Sequence, residues 1–259
     1  MLRKFNEDDF AVLRGPLESR RQSPSSLGAG LILSIVLQVL FLFLEYFVAG
    51  DYSNIYPHKD KILAIHVLIT LTIVGFCAIY SITRVYMRRQ NVQYFLGIVV
   101  TQNLGVSMYI IALFFIGKGA EITKESLLTF TYVTLLFGLL IFIATCIRFY
   151  ILLRKGHYRR GSEKDKLRSK FETKSYLPMV TIGSIGVLFI IQFLVSTFSL
   201  EDFELMLVIV LGILIFFTLI FVLPEQLVIL YCKFRFDSFN YSKKGKLKPF
   251  NNQRKGARK

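Results

Sequence analysis

Apolar residues in this chain are clustered into long runs. They cover about Leu27–Val48, Ile62–Ile82, Tyr94–Ile116, Leu127–Ile147 and Tyr176–Phe198, and a sixth run begins near Leu205. A helix needs roughly 20 apolar residues to cross a hydrocarbon core of roughly 30 Å, about twice what a soluble core asks of it. The pattern therefore predicts an all-α, polytopic integral membrane protein with about six transmembrane helices arranged as three hairpins. The expected organisation is a cytoplasmic N-terminal segment (1–26), a six-helix domain (27–236) with a basic loop at 148–175, and a basic, disordered tail (237–259).

The polar connections set the orientation. Of 32 Lys and Arg, 28 fall in the N-terminal segment, the loop after the second run, residues 148–175 and the tail, and four fall in the other connections. Basic connections stay on the cytoplasmic side. Both termini are thus expected in the cytoplasm of a cell (plasma) membrane protein. The long polar lead and Glu45 within the first run argue for an uncleaved span rather than a signal peptide. Ser162 followed by Asp165 resembles a helix start inside the basic loop.

Composition refines this picture. Mean hydropathy is +0.53, Trp is absent, and 13 Tyr and 25 Phe must supply any interfacial belt. The richness in Phe, Ile, Lys, Asn and Tyr favours a bacterial source. The net charge of +15 is mostly topological and points to an anionic inner leaflet as partner, not to nucleic acid. Span exits alternate cations with apolar or aromatic residues, so Arg84, Arg148, Arg154, Lys155, Arg159, Arg160, Lys233 and Arg235 read as basic, lipid-facing groups. Cys77, Cys146 and Cys232 are expected to be free thiols, too few for a disulfide framework.

Ionisable and amide side chains within spans are candidate functional groups by default. Glu45 and His66 lie near the outer ends of the first two spans, close enough to form a pair that binds a cation or relays a proton, or to sit solvated among headgroups. Thr101, Gln102 and Asn103 are consecutive, so they cannot share one helix face, and at least one should bond a neighbouring helix. Thr101 with Gly105 offers a small-residue face for close approach, and Gln38 invites the same reading as helix glue. Pro224 and Glu225 interrupt the last apolar run. They mark either a broken helix with a carboxylate at the break or, preferably, the start of a short surface helix.

No HExxH, glycine-framed serine with a His base, paired carboxylates at helical spacing or phosphate loop is present. The expectation is a non-enzymatic protein without cofactor or metal. It would act through protein contacts, as an accessory subunit of a membrane complex or a toxin-immunity protein, with a membrane protein partner or as a homo-oligomer. The alternative is a small transporter or channel subunit using the polar residues of spans three and six.

Overall fold

The computed structural model describes residues 4–118, 123–163, 165–166 and 201–250. Its helices are α1 (Gly15–Glu18), α2 (Pro24–Phe43), α3 (Lys59–Tyr80), α4 (Thr83–Arg88), α5 (Gln90–Ile116), α6 (Lys124–Arg154) and α7 (Glu201–Arg235). A π-helical stretch, Leu44–Ala49, continues α2, and 3₁₀ turns cover Glu7–Arg14 and Asp237–Phe239. Among the described residues there is no strand, only one antiparallel bridge between Tyr241 and Leu247.

Among the described residues five helices are long and apolar enough to cross a membrane: Pro24–Ala49, Lys59–Tyr80, Gln90–Ile116, Lys124–Arg154 and Phe203–Arg235. They answer to five of the six apolar runs; the run at Tyr176–Phe198 lies outside the described residues. Their outward faces expose Leu33, Val36, Leu68, Leu136, Phe137 and Met206, large apolar side chains of the kind that face lipid. Local chemistry sets the helix starts. The Ser23 hydroxyl accepts the Ser26 amide at 3.2 Å with Pro24 in the first turn, and Thr123 accepts the Ser126 amide at 3.2 Å. In the basic loop the Asp165 amide likewise reaches the Ser162 hydroxyl at 3.3 Å.

Helix α5 is the axis and the most buried of the five. It packs on α2 and α3 along one side and on α7 along another. The α5–α7 crossing is close because Gly212 meets the α5 backbone: a Cβ there would lie 2.8 Å from the Met108 carbonyl oxygen and 3.1 Å from Ala112 Cβ. Gly105 faces Leu219 in the same seam, as expected of a small-residue face. Gly212→Ala must push the two helices apart and is expected to cost about 1–3 kcal/mol. Gly30→Ala, which meets open space, should cost nothing; thermal unfolding of the detergent-solubilised protein compares the two.

Helix α7 runs unbroken through Pro224 to Arg235. The expected separate surface helix starting at Pro224 does not exist. At 35 residues, or about 52 Å, α7 outruns any hydrocarbon core, and packing secures its last turns. The turn Glu7–Arg14 buries Phe10, Val12 and Leu13, with Leu17, against Ile229 and Cys232 of α7, Phe149 and Leu153 of α6, and Tyr158. The first and last described segments, which share this core through Phe10 and Leu17 on one side and Phe239 and Tyr241 on the other, therefore lie on one face, called here the terminal face. Helices α6 and α7 run in parallel and both end there, Gly138 lying against Phe216, and Leu153 and Ile229 sharing one core.

The terminal face also overturns the expectation of a disordered tail from residue 237 onward, as far as Phe250. Phe239, Tyr241 and Phe250 are buried, and the Tyr241 hydroxyl donates to the Leu17 carbonyl. Burial pushes that phenol up to about 12. Arg14 donates to the Lys248 carbonyl at 3.1 Å and lies 4.0 Å from the Phe250 ring, with Arg160 4.4 Å from the same ring. Residues 251–259 lie outside the described residues.

Candidate functional site

Helices α2, α3 and α5 enclose a strip of buried polar side chains. Toward the face opposite the termini, Glu45 (0% exposed) meets His66 (5% exposed), with His66 Nδ1 2.7 Å from Glu45 Oε2. The pairing anticipated from sequence is realised, and the solvated headgroup reading is not. The π-helical stretch helps to set Glu45. Its wide turn closes with the Gly50 amide on the Glu45 carbonyl at 2.8 Å, and a Cβ at Gly50 would lie 2.5 Å from that oxygen. Single π turns of this kind recur at functional sites.

Inward from the pair, the Asn103 amide donates to Gln38 Oε1 at 3.2 Å and to the Thr70 hydroxyl at 3.0 Å. Next come Ser34 and Cys77, 3.8 Å apart, and then Gln93, whose amide reaches the Pro24 carbonyl at 2.9 Å. These amides and hydroxyls join α2, α3 and α5, as intramembrane polar groups commonly do. Unsatisfied atoms lie at both ends of the strip: Gln93 Oε1 at the inner end, and Glu45 Oε1, His66 Nε2 and Ser107 Oγ at the outer end, are all buried and have no hydrogen-bond partner in the protein. Only at the outer end do they belong to a facing pair of ionisable groups, an arrangement that calls for a reason. Among the described residues no three His, Cys, Asp or Glu side chains gather as a metal cluster.

A knit loop covers this end of the bundle. Asn54 donates to the Ala49 and Phe114 carbonyls, both at 2.7 Å, tying the ends of α2 and α5 together. Lys118 bonds Asp51 at 2.7 Å and the Val48 carbonyl at 2.6 Å. Hydrogen bonds from Lys118 and then from Ser53 hold the Asp51 carboxyl below its usual range. A lowered carboxylate contributes stability that is full at neutral pH and fades as pH falls through the ordinary range near 4 and below. Protection of the Ser53 and Asn54 amides, measured against their intrinsic exchange rate at each pH, should accordingly fall on acidification below about pH 4. In Asp51→Asn it should be low at neutral pH already.

The other candidates scatter. The Gln102 amide donates to the Leu219 carbonyl of α7 at 3.2 Å, on a different face from Asn103. Pro224 is buried within α7, and Glu225 lines a groove with Arg148 on the terminal side. Glu45, Asn103, Gln102 and Glu225 thus do not form one path. Of the cations read as lipid-facing, Arg84, Arg148, Arg154, Lys155 and Arg235 are exposed, with Arg235 bonded to the Tyr231 hydroxyl at 2.6 Å. Lys233 is the exception: it is 2% exposed, donates to the Phe239 carbonyl at 3.0 Å and lies 5.5 Å from the Tyr94 ring. Arg159 pairs with Asp9 at 2.7 Å, and Arg160 approaches Glu18 at 3.7 Å. These two serve the terminal-face packing as well as the charge pattern. The sequence reading missed Thr70 and Asn54, although positions 66, 70 and 77 share one helical stripe. All three cysteines are free. No family model matches the chain, and no curated protein or solved structure matches it either.

Proposed function

We propose that this is a non-enzymatic, six-span protein of a bacterial cell membrane, with cytoplasmic termini, that exchanges protons at the Glu45–His66 pair as a small proton-linked transporter or relay. The observation that carries the reading is the fully buried pair whose far atoms, Glu45 Oε1 and His66 Nε2, have no partner. In a low-dielectric interior such a pair is cheapest to bury with no net charge. It is neutral when it holds two exchangeable protons, as imidazolium with carboxylate or as imidazole with carboxylic acid. Losing one leaves a net negative charge inside the bundle, so proton release must be coupled to an arriving cation or to a rearrangement that admits water. The polar strip from Ser107 to Gln93 lies along the inward route. Six spans are supported by the parallel course of α6 and α7, and the orientation by the excess of cations on the terminal face.

A second reading, an accessory or immunity protein acting through protein contacts with a membrane partner or another copy, draws on the inward half of the strip, where the amides bond within the protein as helix glue. The full chain reconstituted in liposomes with an entrapped pH dye separates the two readings. An imposed potential should drive proton flux in wild type and at least about tenfold less (about 1.4 kcal/mol) in Glu45→Gln. Equal flux in both, or none in wild type, would favour the interaction protein. Impermeant labelling of cysteines placed at Lys155 and Tyr52, in a background lacking the native thiols, reports the orientation.

A further inference from the structure

At the terminal face, the α4–α5 corner and the folded C-terminal segment enclose a groove of about 510 Å³. Gln90 builds it. Its side chain clamps the Tyr241 backbone at two points, Nε2 to the carbonyl at 3.0 Å and Oε1 from the amide at 2.9 Å. The segment then folds back through Gly245 (φ +72), a left-handed position that suits glycine. The Ser242 amide reaches the Lys246 carbonyl at 2.7 Å, and the Lys248 amide reaches the Asn240 carbonyl at 3.0 Å. This hairpin brings Lys243 and Lys248 to the groove opposite Arg88 and Arg89. Lys248 is neutralised by Asp237. Among the described residues Arg88, Arg89 and Lys243 have no carboxylate within ion-pair distance.

Two further observations say what such a groove takes. It sits where the spans end, at the start of α5 and the last turn of α7. Phe234, which lines it, is 66% exposed, so an apolar wall adjoins the three free cations. A soluble anion has no use for that wall, whereas a molecule with a phosphate head and acyl chains meets both parts.

We propose that the groove is a specific site for the headgroup of an anionic phospholipid, held by Arg88, Arg89 and Lys243, with its chains descending past Phe234. The site depends on the fold of the C-terminal segment, since Lys243 reaches it only through the Gln90–Tyr241 clamp. It is independent of proton exchange at Glu45.

Native mass spectrometry of the full chain, released from micelles doped with phosphatidylglycerol or phosphatidylcholine, tests the site. Wild type should retain phosphatidylglycerol preferentially. The triple variant Arg88→Gln, Arg89→Gln, Lys243→Gln should bind it on the order of 100-fold more weakly, at roughly fivefold per cation beside an anionic lipid. A control losing equal charge elsewhere, Arg84→Gln, Arg154→Gln, Lys155→Gln, should keep its binding. All six side chains are exposed, so both variants should fold, which unchanged thermal unfolding would verify. Equal loss in the control, or no preference for phosphatidylglycerol in wild type, would overturn the proposal. Displacement of the lipid by millimolar inorganic phosphate would also overturn it, assigning the groove to a free anion.

Discussion

Glu45→Ala is expected to destabilise the folded chain by about 3–5 kcal/mol, because it leaves His66 buried without its partner. Glu45→Gln should cost less, since an amide still reaches His66 Nδ1 across the 2.7 Å contact. The double variant Glu45→Leu, His66→Phe removes both polar groups and fills similar volume. Replacing a buried pair by apolar residues is commonly neutral or stabilising, so this variant should regain wild-type stability or exceed it. It should also lose all proton flux. Denaturant titration in bicelles reads the stability, and the liposome assay reads the flux. A protein in which the pair is structural would show the reverse: the double variant would be unstable, and flux would be absent from the start.

The second large effect belongs to the terminal face. Phe239→Ala is expected to cost about 3–5 kcal/mol, the range for an aromatic truncated in a packed core. Phe239 is fully buried, its carbonyl accepts from the buried Lys233, and its ring lies 6.2 Å from Phe236. Phe234→Ala, five residues earlier and largely exposed, should change stability by less than about 0.5 kcal/mol. Differential scanning of the two variants reports directly on whether this segment is folded. If it were a disordered tail, both changes would be silent.

The run lengths alone determined the helical class and located the starts of the five described spans within about four residues, because crossing hydrocarbon leaves the backbone no choice but a helix of about 20 residues. The C-terminal ends of α6 and α7 lie well beyond the expected ones, at Arg154 and Arg235. They also marked Glu45 and His66, since charge within an apolar run stands out in one dimension. The three-residue run Thr101-Gln102-Asn103 announced helix contacts through the 100° step, and two of the three make them, to α7 and to α2 and α3. What those groups do was decided in three dimensions. Burial of the Glu45–His66 pair depends on the π turn that ends α2 and on the Asn54 loop above it, neither of which has a period to read. Pro224 stays inside α7 because the terminal face grips both sides of the break point, a long-range term that overrides a local breaker. The folded segment 236–250 was hidden by its lysines: net charge suggested disorder, while Phe239, Tyr241, Leu247 and Phe250 found their core in the first 17 residues. Hydrophobic pattern is local, so it fixes helices and depth. Which polar face meets which, and whether a charged tail has a partner, depends on residues more than 200 positions away.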